Sequence, residues 1–92
     1  MAPPHVIFQL EDEFHAEAVG EAFSSFEAAL TALREVLALP FSERPHSPPC
    51  TNWRGCQRDW VINKYRVVSD ERWELVEQTY VAASTANGVE WR

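Results

Sequence analysis

The sequence predicts an α+β fold, a two-layer sandwich in which one helix covers a mostly antiparallel sheet, in the order β-β-α-β-β-β. Three observations predict this fold. Segments with strand-like alternation stand on both sides of one segment with helical spacing. Short polar turns separate neighbouring strand segments, as in hairpins. The 92 residues suffice for a single domain, 1–92, with one thin core.

Two strands are predicted before the helix. Residues 5–11 are rich in β-branched and aromatic side chains that alternate with polar ones. Residues 14–23 alternate again, and Gly20 within them suggests a bulge or a close approach of the backbone. The charged turn 11–13 lies between the two segments, so we expect them to form a hairpin.

The clearest element is the helix, which we expect to run from about residue 25 to 38. Ser24 and Glu27 have the spacing of a capping box, and Pro40 ends the segment. The apolar stripe recurs every three or four residues and consists of Phe26, Leu30, Leu33 and Leu37, widened by Ala29 and Val36.

Three strands are predicted after the helix. Residues 58–68 and 73–84 form a second hairpin, and Asn87-Gly88 is a strong turn signal that pairs 89–91 back onto it. The strand 58–68 is apolar on both faces. Because one helix covers only one face of a sheet, we expect the long loop or a partner, commonly a second copy, to cover the other.

The loop at 40–57 joins the helix to these strands and holds four prolines and both cysteines. Proline at this density excludes a helix or a central strand. A long loop without secondary structure is often functional in a small domain, although it can also serve only as a crossover.

A zinc site in this loop would use His46, Cys50 and Cys56. The set would have to be completed from outside the loop, by His15, His5 or Asp59. The close cysteine pairs of structural zinc sites are absent, so we expect neither a metal nor another cofactor.

The two cysteines are expected to lie close together, as a disulfide or as a pair of thiols. Cys50 and Cys56 bracket a short segment, and Gly55 helps the chain to turn before the second one. Closing this loop by a disulfide would stabilise the fold by about 2.4 kcal/mol. A cytosolic location argues for the reduced form.

A nucleophilic cysteine is the third reading of the loop. Arg54 and Arg58 flank Cys56 and can lower a thiol pKa, and His46 or His15 can act as a base. No catalytic signature surrounds either cysteine, so we expect no catalytic residues and no enzyme. Trp53 and Arg54 at the tip are instead candidates for contact with a partner.

The charge is unevenly distributed. Residues 1–39 carry seven acidic residues against one basic, a formal charge of -6, whereas residues 40–92 are neutral. An acidic half repels nucleic acid and attracts a basic protein surface. No apolar run is long enough for a membrane helix, and the N-terminus lacks the features of a signal peptide, so a cytoplasmic protein is expected.

One stretch, PPCTNWRGCQRDWVINKY, is followed by a WEL strand and a terminal NGVEW. In these features the chain resembles small uncharacterised bacterial proteins with a similar PCTNWRGC-type loop. The resemblance covers roughly the C-terminal half and implies no activity, cofactor or partner.

The sequence therefore predicts a small acidic, non-enzymatic domain that binds a protein, as an inhibitor or immunity-type protein engaging a basic surface. The acidic contact would consist of Glu11, Asp12, Glu13, Glu17 and Glu21. One alternative is a metal- or redox-responsive module built on Cys50, Cys56 and His46. The other is a single-stranded nucleic-acid binder that uses the basic central region, with Trp53 or Trp60 stacking on bases.

Overall fold

The computed structural model describes residues 5–92, and its elements follow the predicted order β-β-α-β-β-β. A short 3₁₀ helix in the long loop is the only regular structure there among the described residues. The elements are β1 (His5–Asp12), β2 (Glu17–Phe23), α1 (Phe26–Leu37), the 3₁₀ helix (Trp53–Gly55), β3 (Gln57–Ser69), β4 (Arg72–Thr85) and β5 (Gly88–Trp91).

The five strands form one antiparallel sheet in the order β2-β1-β3-β4-β5. The predicted two-layer sandwich is wrong, because this sheet curves into a half-barrel. Register shifts interrupt the pairing of β1 with β2 once and that of β3 with β4 three times. Each such bulge bends its strand and adds twist, and strands of 13 and 14 residues let that twist accumulate.

The N-cap of the helix α1 lies one residue later than predicted. Ser25, not Ser24, has the extended backbone of an N-cap, and its hydroxyl accepts a hydrogen bond from the backbone N–H of Ala28 at 3.1 Å. The capping box expected from Ser24 and Glu27 is therefore wrong. The buried face of the helix consists of Ala29, Leu33 and Leu37.

The core lies between this helix face and one side of the sheet. Trp60 at its centre has no exposed surface, and its indole Nε1 donates a hydrogen bond to the Ser84 hydroxyl at 3.0 Å. Burying the polar end of the indole costs little because that hydrogen bond satisfies it. The other buried apolar members on this side are Leu10, Val19, Ile62, Val81 and Ala82.

The long loop packs on the helix side of the sheet. Phe41 lies 5.1 Å from the ring of His46 and 6.2 Å from that of Trp53, and His46 lies 6.5 Å from Trp60. The loop thus closes one end of the core and leaves the opposite face of the sheet without a covering layer among the described residues. On that face Val61 is buried, but Trp73 and Leu75 are about half exposed and Tyr80 about a third.

Candidate metal and redox centre

A tight turn between β1 and β2 places a histidine beside a buried carboxylate. Asp12 ends β1, and its Oδ1 accepts a hydrogen bond from the backbone N–H of Phe14 at 3.0 Å, which stabilises the turn. Ala16 has a φ of 53°, so the chain reverses through the left-handed region before β2. As a result, Nδ1 of His15 lies 2.5 Å from Oδ2 of Asp12.

The long loop brings the two cysteines to this turn. Cys50 and Cys56 form a disulfide on either side of the 3₁₀ helix, so the prediction that they lie close together is confirmed. The N–H of Cys56 donates to the carbonyl of Trp53 at 3.2 Å, which closes the short helical turn between them. Both cysteines are half-buried.

His15 faces both sulfur atoms. Its Nε2 lies 3.0 Å from Sγ of Cys50 and 3.1 Å from Sγ of Cys56. When the neutral ring donates from Nδ1 to the Asp12 carboxylate, it presents a lone pair at Nε2. Disulfide sulfurs carry no hydrogen to meet it. Three atoms with lone pairs therefore converge within 4.8 Å of one another, and they are of the types that bind zinc.

Asp12 holds the imidazole in place and is itself fully satisfied. The residue has no exposed surface, and its two oxygens accept four hydrogen bonds. Besides Phe14 and His15, the donors are the backbone N–H of Asp59 at 3.1 Å and Nη1 of Arg58 at 3.0 Å. A carboxylate behind a histidine in this way fixes the orientation and the tautomer of a metal ligand.

Arg58 connects the turn, the loop and β3. Its Nη1 also donates to Oε1 of Glu17 at 2.8 Å, and its Nε and Nη2 donate to the carbonyls of His46 and Ser47 at 3.1 and 2.6 Å. The guanidinium carbon lies 5.1 Å from the ring of Trp60. One buried cation thus ties the candidate centre to the core.

His46 does not belong to the centre, although the sequence suggests it as the zinc-binding histidine of the loop. It is buried against Phe41, its Nδ1 donates to the carbonyl of Leu39 at 2.7 Å, and its Nε2 has no partner among the described residues. Burial lowers the pKa of His46, the hydrogen bond to Leu39 opposes this effect, and the charge of Arg58 lowers the pKa further. The folded state therefore favours the neutral ring.

The lowered pKa predicts a stability that depends on pH. As the pH falls below about 6.5, the unfolded state takes up a proton on His46 that the folded state resists, so the free energy of unfolding should decrease. The variant His46→Asn keeps a donor for Leu39 but cannot titrate, and should lose less stability over the same range. Urea unfolding at a series of pH values measures the free energy of unfolding of the wild type and of the variant. Parallel pH curves for the two proteins would contradict the prediction.

The five acidic residues expected to contact a basic partner do not form one free surface. Asp12 is buried, Glu17 pairs with Arg58, and Glu11 accepts a hydrogen bond from the Tyr65 hydroxyl. The remaining two, Glu13 and Glu21, are exposed.

The other candidates from the sequence are dispersed. Trp53 is half-buried against Phe41, and the guanidinium of Arg54 lies 5.1 Å from the Trp53 ring, so only Arg54 is free for a partner. His5 is exposed at the start of β1, far along the strand from Asp12. The Asp59 carboxylate accepts from the side-chain amide of Gln57 at 3.0 Å. Neither His5 nor Asp59 belongs to the ligand cluster.

The role of Asp12 was missed in the sequence, where it counted only as surface charge. The signal that could have found it is the spacing Asp12-x-x-His15 in a predicted turn, which lets a carboxylate meet the imidazole three residues later. The sequence offers His15 only as one of three residues that could complete a zinc set.

Within residues 5–92, no helix has the length and apolar character needed to cross a membrane. Comparisons of the chain with protein-family models, with curated proteins and with solved structures found no match.

Proposed function

We propose that this chain is a small zinc-binding domain, in which His15 and the reduced forms of Cys50 and Cys56 hold one metal ion. The observation that supports the proposal best is the position of Nε2 of His15, at 3.0 and 3.1 Å from the two sulfur atoms. Two thiolates and an imidazole are ligands that zinc prefers.

The nitrogen–sulfur distances are close to those of a zinc site, whereas the two sulfur atoms must separate from bonding distance to about 3.8 Å once the disulfide is reduced. With usual zinc–sulfur and zinc–nitrogen bond lengths, tetrahedral geometry puts a ligand nitrogen and a ligand sulfur about 3.5 Å apart. Asp12 holds the imidazole of His15 from its far side, so the freed sulfur atoms would have to draw back from Nε2 by about half an ångström. Three protein ligands leave a fourth position for water or for a group from a partner. The role of Asp12 would be to position His15.

Metal binding would belong to the reduced chain only. Zinc binds cysteine as the thiolate, so the disulfide between Cys50 and Cys56 must be reduced first. A reducing cytoplasm would maintain that state, in keeping with the expected location. Conversely, a small-molecule disulfide could accept two electrons from the two thiolates, become two thiolates itself, and leave the Cys50–Cys56 bond in place of the metal.

Metal analysis of the reduced protein tests the proposal. Purified protein is reduced with a phosphine, stripped with a chelator, given zinc anaerobically, and freed of excess metal. We expect one zinc per chain, and little or none in the variants His15→Ala and Cys56→Ser. The variant His5→Ala is the matched control, because His5 is an exposed histidine outside the cluster, and it should retain the metal.

Cobalt substitution gives an independent readout. Tetrahedral Co²⁺ with thiolate ligands shows intense visible bands and a sulfur-to-metal charge-transfer band, which the variant Cys56→Ser should weaken. Substoichiometric zinc in the reduced wild type, or equal losses in His5→Ala and His15→Ala, would overturn the metal proposal. A disulfide that cycles reversibly without any metal would then favour a redox module at the same cysteines.

A further inference from the structure

The outer edge of β4 is without a strand partner over most of its length. The strand β5 pairs only with Ala82–Thr85, whereas β4 begins at Arg72. Among residues 5–92, the segment 72–80 therefore pairs on one side only, with β3. Such an edge presents backbone N–H and C=O groups that another strand can bind.

This edge, the segment 72–80, carries exposed apolar side chains, and of the usual protections against pairing it has charged residues and one bulge but neither lysine nor proline. Trp73, Leu75 and Val76 are 48, 55 and 54% exposed. The register shift between Leu75 and Glu77 bends the strand but leaves the Val76 side chain in solvent. Exposed apolar side chains along an open edge are characteristic of an interaction surface.

The local charge favours a second copy as the occupant. The chain has a formal charge of -6, but residues 64–77 contain three basic and four acidic residues, so most of the negative charge lies elsewhere. Two copies that meet along this edge keep their acidic halves apart. In an antiparallel pairing, Arg72 of each copy also approaches the half of the other strand that contains Glu77.

We propose that two copies of this chain associate by antiparallel pairing of their β4 edges about a two-fold axis. The backbone groups of 72–80 would then be satisfied across the interface, and the two five-stranded sheets would become one continuous sheet. Trp73, Leu75 and Val76 would lose part of their exposure to water, through contact with side chains of the other strand on the same face. The metal centre takes no part in this contact.

The oligomeric state in solution tests the proposal. Light scattering with size exclusion, over a series of concentrations, should show a dimer for the wild type. Val76→Lys should raise the dimer dissociation constant by at least about 100-fold, because a charge would be buried at the interface. Val68→Lys is the matched control: Val68 is 50% exposed but lies on β3, so its dimer should persist.

Hydrogen exchange locates the contact. Amides within 72–80 should exchange more slowly at concentrations where the wild type is dimeric, and Val76→Lys should abolish that change. A monomer at every concentration, or equal disruption by Val68→Lys and Val76→Lys, would overturn the proposal. The variant Cys56→Ser should dimerise normally, so a failure here is distinguishable from a failure of the zinc proposal.

Discussion

Replacing Asp12 by alanine should lower the free energy of unfolding by about 3–5 kcal/mol, the usual cost of removing one partner of a buried ion pair. The change would leave the buried guanidinium of Arg58 with only the half-exposed Glu17 as a counter-ion. It would also leave the backbone N–H groups of Phe14 and Asp59 without their acceptor. Urea unfolding of the reduced proteins measures the difference.

The neighbouring residue supplies the control for this change. Glu13 is an exposed acid in the same turn, so Glu13→Ala should alter the free energy of unfolding by no more than about 0.5 kcal/mol. Asp12→Asn keeps the side-chain volume but weakens the hydrogen bond that orients His15. It should reduce the zinc affinity by about 10–100-fold. A loss below about 1 kcal/mol for Asp12→Ala would show that the carboxylate does not organise the turn.

Replacing Trp60 by alanine should have an effect of similar size, about 3–5 kcal/mol. The indole has no exposed surface and lies at the junction of the helix, the sheet and the long loop. Its removal would create a cavity, free the hydroxyl of Ser84 and remove the aromatic surface under Arg58. Thermal unfolding followed by circular dichroism checks the loss.

A second tryptophan provides the comparison. Trp91 is 48% exposed near the C-terminus, so Trp91→Ala should cost only about 1 kcal/mol. Trp60→Phe separates packing from hydrogen bonding, because it keeps most of the volume but leaves Ser84 without its donor. Equal losses for Trp60→Ala and Trp91→Ala would mean that Trp60 is not the centre of the core.

The elements themselves were largely predictable, because each is encoded by a local pattern. The helix expected at about 25–38 occupies Phe26–Leu37, and the strand expected at 58–68 occupies Gln57–Ser69. The turn at Asn87-Gly88 joins β4 to β5 as expected, with Gly88 at a φ of 133° that favours glycine. Alternation of apolar and polar residues, helical spacing and turn residues each involve only a few neighbouring positions, so they can be recognised in one sequence.

The curvature of the sheet was not predictable in the same way. It depends on bulges such as those at Val76 and Val81, which exist only relative to the register of the neighbouring strand. No pattern within β4 shows which of its residues lack a counterpart on β3. The cap at Ser25 was missed for a more local reason: two consecutive serines offer the same side chain, and the backbone angles decide between them.

The candidate centre was predictable only in part. The proximity of Cys50 and Cys56 follows from their short separation, but His15 precedes them by 35 and 41 residues. Asp12 and Arg58 are 46 residues apart, so their pairing could not be read from either neighbourhood. From the sequence alone, Asp12 and Glu17 are expected to be surface acids, because Arg58, the cation that pairs with them, lies on a distant strand.

The hydrogen bonds of Arg58 to the long loop limit how far a change at the candidate centre could alter the fold. The bonds from Arg58 to the carbonyls of His46 and Ser47 fix the loop through the backbone, independently of the bond between the cysteines. The segment that leads to Cys50 would therefore stay in place when the disulfide opens, and less ordering of the chain would oppose the proposed metal binding. Exchange of the disulfide for a metal would then change the chain mainly around Cys50 and Cys56. A partner sensing that exchange would have to recognise the chemistry at the surface of the centre, rather than a rearranged fold.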